Sequence, residues 1–454
     1  MQTRALAKFV ADLQYTDLQE NTVRITKQCI LDWLGVCIRG SQEKPIVIIQ
    51  DVLRTQGGNP QATVLNTKCE KTSVYQAAFA NGSASHSLDF DDLHNASIIH
   101  LATVVIPPAF AIAEAESKSG KDVITSVVAG YEVGARVGES VLPESYFYWH
   151  TTATAGSFGA AAASAKLLNL DAELSTQCLG SAGTQAAGLW EFLKEGAMSK
   201  TLHAGKTSYA GAISAYLAKA GFTGATQILE GEKGFCRAMV KQPKFEKLTD
   251  NLGNGKYKID ENSFKPYACC KHSHAAIFAV ISLCKQHGLD LDNIKEIKLF
   301  VNNITDFLIN NSKPENPYGC KFSIQYCVVG AAKYGKMGIE EFAPSVIDNP
   351  QVRAAMHNVK IIKDQAIENI FLADPTKLAT KVEIVNTAGD TFSLLVEYPK
   401  GDPPNPMTWA ESVDKFTNLV TPVYGEDRAA KLVNLIDKLE ASSDFAADLR
   451  ACLE

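Results

Sequence analysis

AGSFGAAAASAKLLNL, Ala155–Leu170, carries Gly156, Gly159 and a run of alanines. Small side chains at helical composition let helix axes approach toward the short end of the ~8–10 Å range. The same composition recurs in SAGTQAAG (181–188) and KTSYAGAISAYLAKAG (206–221). These stretches read as a helical domain with buried helix–helix seams, which also offer a dimer interface. Outward from them the reading stays helical from Met1 to about Phe264. Ile25, Cys29, Ile30, Trp33 and Leu34 recur at helical spacing, with Gly35 and Gly40 at the end. Pro107 and Pro108 are expected to begin a helix that stops at Gly120, because a proline lacks only an N–H that the first turn leaves unpaired anyway. Lys121–Val141 reads as the next helix, with Val123, Ile124, Val127, Val128 and Tyr131 on one side.

After about Lys265 the pattern changes. IKEIKLFV (294–301), NVKIIKD (358–364), KVEIVNT (381–387) and FSLLVEY (392–398) are strand-length runs rich in β-branched residues. Ala388, Gly389 and Asp390 read as a hairpin turn between the last two. Helical segments such as HAAIFAVISLCKQHG lie among them, so this region reads as a smaller α+β domain. Pro399–Pro406 reads as a linker, and TWAESVDKFTNLV and AAKLVNLIDKLEA beyond it are helical again. The expected fold is mainly α. A large helical domain is formed by both chain ends, residues 1–264 and 400–454, with an α+β domain inserted at 265–399.

The bulk numbers exclude several classes. The 454 residues suit two domains, and 46% apolar with 21% charged residues is a folded, globular composition. A net charge of −6 without a basic run gives no footprint for nucleic acid or an anionic membrane. MQTRALAKFVADLQY lacks the apolar core of a secretion signal, and no stretch approaches the ~18 apolar residues of a spanning helix. The 11 cysteines, odd in number and irregular in spacing, make no disulfide framework. A cytoplasmic protein is expected.

Four segments could carry chemistry. HSLDFDDLHNASIIH, His86–His100, holds three histidines and three aspartates, residue types that move protons when their pKa values are tuned. The plainer reading makes Asp91 and Asp92 helix caps and the histidines packed or exposed. In YFYWHTTATAGSFG, His150 precedes the alanine-rich helix, whose N-terminus suits an anion; Thr151 and Thr152 can alternatively cap that helix. In MSKTLHAGKTSYAG, Lys200, His203 and Lys206 lie near a helix start, where positive charge opposes the helix dipole; a bound carboxylate would explain it, and plain solvent exposure is the alternative. FKPYACCKHSH holds Lys265, Cys269, Cys270, Lys271 and His274, but adjacent cysteines do not match the spaced pairs of zinc or iron–sulfur sites. No dinucleotide-binding or phosphate-loop fingerprint is present.

These segments in this order, with KFSIQYCVVGAAKYG (321–335) and PKGDPPNPMTW (399–409), resemble the MmgE/PrpD family over nearly the whole chain. That family includes 2-methylcitrate dehydratase, cis-aconitate decarboxylase and iminodisuccinate epimerase. The resemblance implies a helical domain with a smaller α+β lid, a homodimer, and no metal or other cofactor. It places the family's catalytic aspartate on Asp89, its histidines on His100 and His150, and its lysines on Lys200 and Lys265. His94, His203, Cys270, Lys271 and His274 are further candidate substrate contacts, with Lys265 and Lys271 near a hinge of the lid. The sequence departs from the pattern at Leu93, where a threonine is common, and at Cys270, where the decarboxylase has a histidine. A tyrosine of the decarboxylase falls near Asp306. The implied function is a hydro-lyase acting by proton abstraction on a small di- or tricarboxylic acid such as 2-methylcitrate. Alternatives are an epimerase, a decarboxylase on a related acid, or a carboxylate-binding protein that has lost catalysis.

Overall fold

The computed structural model describes residues 1–192 and 197–454. It divides into two units, one comprising Met1–Ser87, Asp91–Ser263 and Thr408–Glu454, the other Leu88–Phe90 and Phe264–Met407. The fold is mainly α, with a large helical unit built from both chain ends and a smaller inserted α+β unit.

The small-residue seams lie at the centre of the helical unit. The helices Gly120–Val141 and Gly156–Leu167 touch backbone to backbone: a Cβ on Gly130 would lie 2.9 Å from the Gly159 carbonyl oxygen, and one on Gly159 would lie 2.8 Å from that of Gly130. Helix Ser199–Lys219 closes on the same layer, where a Cβ on Gly211 would meet Ala160 at 2.4 Å. These approaches are open only to glycine, and they bring the alanine faces of the helices into dispersion contact along their length.

The C-terminal helices belong to this core. Helix Trp409–Tyr424 packs on Glu20–Gly40, with Phe416 and Leu419 against Gly35. Its Lys415 reaches Asp32 at 2.6 Å in a buried ion pair. Two backbone bonds, from Gly120 N–H to the Ser442 carbonyl and from Phe445 N–H to the Lys118 carbonyl, both 2.9 Å, tie the last helix in.

One helix differs from expectation. Pro107 and Pro108 lie inside the helix Ala102–Ala115 and do not begin it. An interior proline leaves the carbonyl four residues back without its helical donor. Here Thr103 O, the acceptor that Pro107 would strand, receives the Ser208 hydroxyl at 3.2 Å. A partner from a helix a hundred residues away makes Pro107 tolerable. The helix also ends before Gly120, which instead opens the next helix behind a Ser119–Asp122 capping box.

The α+β unit holds a four-stranded sheet in the order Val359–Lys363, Ile294–Val301, Thr380–Asn386, Thr391–Val396. The first pair is parallel and the other two antiparallel. Gly389, at φ 94°, makes the expected hairpin turn. Helix His274–His287 covers one face, ending at Gly288 in the left-handed conformation. Leu88–Phe90 join this unit through two lysines: Lys321 donates to Leu88 O at 2.7 Å and Lys265 to Asp89 O at 2.9 Å. Among the described residues no helix is long and apolar enough to cross a membrane.

Candidate active site

Within the helical unit, His86 caps the C-terminal end of helix Val74–Ser85. The loop that follows is drawn into a tight turn by reciprocal backbone bonds between His94 and Ile99. Ile98 sits in this turn at φ 48°, a conformation a β-branched side chain resists. The Thr151 hydroxyl donates to Ile98 O, and Thr152 Oγ1 accepts the His100 N–H at 3.2 Å. The two threonines therefore hold the loop that carries His100. They do not cap their own helix, Thr151–Thr154, whose N-cap is His150 itself.

The result is a buried row of imidazoles on one carboxylate. Asp91 Oδ2 accepts His86 Nδ1–H at 2.6 Å and faces His100 Nδ1 at 3.0 Å, an ion-pair distance without hydrogen-bond alignment. The His86 ring meets His100 edge-on at 4.8 Å and stacks on His150 at 5.4 Å. His150 Nδ1 lies 3.2 Å from His203 Nδ1, and Trp190 packs on the His150 ring at 4.5 Å.

Burial sets the protonation states. It pushes the imidazole pKa of His86 and of His203 down to about 4 and that of His150 well down, because a charged ring would be stripped of water. Lys200 adds a repulsive cation to His86 and His150. Burial alone would raise the Asp91 carboxyl, but His100 and His86 hold it well below the usual range. The next residue behaves oppositely. Burial pushes Asp92 up to about 8, despite bonds from the Tyr131 hydroxyl at 2.6 Å and the Ala102 N–H at 3.1 Å. The site thus holds the neutral rings of His86, His150 and His203 along with an ionised Asp91, a composition suited to accepting protons.

His94 lies apart from this row. Its Nδ1 meets Ser97 Oγ at 2.8 Å and its Nε2 lies 3.4 Å from Glu261, whose carboxyl His94 and Lys258 hold down at about 2. Lys206 is spent on structure, donating to Gln185 O and Ala187 O at 2.6 and 3.1 Å.

Within the α+β unit the remaining candidates gather. Lys265, 3% exposed, lies 3.4 Å from the Asp89 carboxylate, and Asp89 itself has φ 57°. Lys271 pairs with Asp402 at 2.8 Å. Cys270 has its thiol pushed up to about 12 by burial, which leaves it un-ionised. His274 Nε2 reaches Cys269 O at 3.2 Å; burial, then the charges of Lys271 and Lys265, keep its ring neutral.

Among the described residues, two trios bring side-chain atoms of metal-binding type within 4.8 Å of one another: His86, Asp91 and His100, and His94, Glu139 and Glu261. In the first the atoms face each other. In the second, the Lys258 ammonium already lies 2.8 Å from Glu139 and 3.2 Å from Glu261.

The sequence counts His86 and Asp91 in its cluster of proton-moving residue types, with Asp91 alternatively a helix cap, but singles out neither as a site residue. Their five-residue separation spans a helix end and a loop, so no periodic rule brings them together.

The shifts make a stability prediction. A ring whose pKa falls on folding is protonated first in the unfolded chain, so its contribution is complete above ~6.5 and is lost as pH falls toward about 4. Asp92 runs the other way, its raised carboxyl favouring the fold at low pH and losing that advantage as pH rises through about 8. Three rings outweigh one carboxyl. The denaturant midpoint of the helical unit is expected to fall between about pH 7 and about pH 5, and an unchanged or higher midpoint at the lower pH would contradict these protonation states.

The helical unit thus holds a buried imidazole–carboxylate row, and the α+β unit holds a buried lysine–carboxylate cluster. The chain belongs to the MmgE/PrpD family: residues 4–248 match the MmgE/PrpD N-terminal domain and residues 267–441 the MmgE/PrpD C-terminal domain. It is 27% identical to the cis-aconitate decarboxylase-like protein oryM of Aspergillus oryzae, over 98% of this chain and 95% of that protein. It is 24% identical to the cis-aconitate decarboxylases of Homo sapiens, over 97% and 92%, and of Aspergillus terreus, over 98% and 94%.

Proposed function

We propose that the protein is a lyase acting on a small di- or tricarboxylic acid, moving protons with its own imidazoles and carboxylates. The observation that carries this reading is the row of imidazoles packed on the ionised Asp91, in which burial keeps His86 and His150 neutral. Removing a proton beside a carboxylate needs a base that is unprotonated at neutral pH and nearby positive charge for the enolate-like dianion that develops. His150 supplies the first, Lys200 suits the second, and His100, beside Asp91, is assigned to the accompanying proton transfer. At the family positions in the α+β unit, Asp89 is assigned to proton transfer and Lys265 to a substrate carboxylate. The candidate contacts Cys270, Lys271 and His274 remain part of this reading, whereas His203 lies against His150 Nδ1 and is better explained as that ring's partner than as a substrate contact. His94, engaged by Ser97 and Glu261, is better explained by structure.

The favoured reaction is elimination of water. A base takes the proton on carbon, its electron pair becomes the C=C bond, and the hydroxyl leaves with a proton from an acid. Bases that start unprotonated suit the first step. Decarboxylation is the second reading, favoured by the printed names of the relatives. There a C–C bond breaks, carbon dioxide leaves and the carbanion takes up one proton.

The test is incubation with a panel of hydroxylated and unsaturated polycarboxylates. Elimination produces new ultraviolet absorbance, decarboxylation releases carbon dioxide, and epimerisation brings deuterium uptake from heavy water without net change. New absorbance without gas is the expected result. Released carbon dioxide would replace the hydro-lyase with the decarboxylase, and turnover of no acid in the panel would overturn the lyase reading.

A further inference from the structure

The contact between His150 and His203 joins like atoms, Nδ1 to Nδ1 at 3.2 Å. A hydrogen bond between two such nitrogens requires one to carry a proton and the other to be bare. The pair therefore shares a single proton that either ring can hold. The two ends differ in access: His150 is 2% exposed, whereas His203 is partly exposed. The contact runs from the interior toward water.

Its geometry is held on every side. Trp190 and His86 pack on the His150 ring, and Phe192 meets the His203 ring edge-on at 5.4 Å. Gly188 supplies the room, since a Cβ there would lie 3.2 Å from His203 Nδ1 and 2.5 Å from Ala153. Its carbonyl also accepts the His150 N–H at 3.0 Å. Lys200 repels a proton held on His150, and Lys206 repels one held on His203. A proton arriving on this pair is passed on and not stored.

We propose that His203 is a proton-relay residue that exchanges the proton of buried His150 with water. The proposal rests on the lyase reading for its purpose. Each elimination leaves a proton on the base, and each decarboxylation consumes one, so the buried ring must be reset from solvent every cycle. In the elimination direction His150 Nε2 takes the proton from carbon, Nδ1–H gives its proton to His203 Nδ1, and His203 releases one from Nε2 to water. The charge moves outward by one ring, and a ring flip or the reverse transfer restores the tautomers.

The test uses the whole chain with 15N-labelled histidine and compares His203→Phe, which keeps the aromatic packing but has no nitrogen, with His203→Gln. Thermal melts control for folding. Exchange of the His150 ring proton with water, read by nuclear magnetic resonance without any substrate, is expected to slow by about tenfold or more in His203→Phe. With a substrate from the panel, the first turnover should keep its rate while steady-state turnover drops by up to ~10²-fold and recovers with added imidazole buffer. Wild-type exchange in a folded His203→Phe would overturn the relay. So would an equal loss of first and later turnovers with no rescue by buffer, which would mark His203 as packing only. If no acid turns over, the lyase reading fails, while the exchange measurement still decides the relay.

Discussion

Replacing His150 by Gln is expected to lower kcat by ~10²–10⁴-fold while the protein stays folded, the usual loss when a general acid or base is removed. The ring is 2% exposed and kept neutral by its burial, with His86, Trp190 and His203 around it. Gln retains polarity and much of the volume but cannot take up a proton. Asp89→Asn should have a similar effect, since the amide keeps the shape and loses the base, although its partner Lys265 is then left without a counter-charge at 3.4 Å. Lys200→Ala should chiefly raise KM if its contact with a substrate carboxylate is equally strong in ground and transition states. Steady-state kinetics on each variant, with thermal melts beside them, reads these outcomes. Near-normal kcat in both His150→Gln and Asp89→Asn would remove the proposed site.

The largest stability effect is expected at the buried pair of Asp32 and Lys415. Their side chains are 1% and 6% exposed and 2.6 Å apart, and they join a helix near the start of the chain to one near its end. Lys415→Met keeps the packing of the stem but leaves the Asp32 carboxylate buried without its cation. Removing one partner of such a pair costs about 3–5 kcal/mol, because an uncompensated charge remains in a low-dielectric interior. Replacing both, with Asp32→Leu added, should recover most of the loss, since the desolvation of two charges is then no longer needed. Denaturant unfolding of the single and double variants decides this. A single variant as stable as the parent, or a double variant worse than the single, would show that the pair is not the main tie between these helices.

The helices and strands were legible wherever a local pattern repeats. The small-residue runs around Gly159 and Gly211 carry the information that helices meet there closely, because only the absence of a side chain permits it. The β-branched runs at 294–301 and 381–387 likewise announce the strands Ile294–Val301 and Thr380–Asn386. Pro107 and Pro108 misled because the rule for proline is local, whereas its remedy, the Ser208 hydroxyl on Thr103 O, comes from a distant helix.

By itself the sequence determined the mainly helical class, the α+β character of the inserted region, and, through ordered motifs along its length, the MmgE/PrpD family. These follow from periodicity, composition and motif order, which are properties of the chain read in one dimension. Only the tertiary structure decided that His86 and Asp91 join His100 and His150 in one row, that His94 turns away to Glu261, and that Asp89, two residues before Asp91, belongs with Lys265 in the other unit. Those placements depend on the path of a non-repeating loop, held by the strained turn at Ile98 and the hydroxyls of Thr151 and Thr152. A loop's course is set by such distant partners, and no spacing of residues within it encodes them.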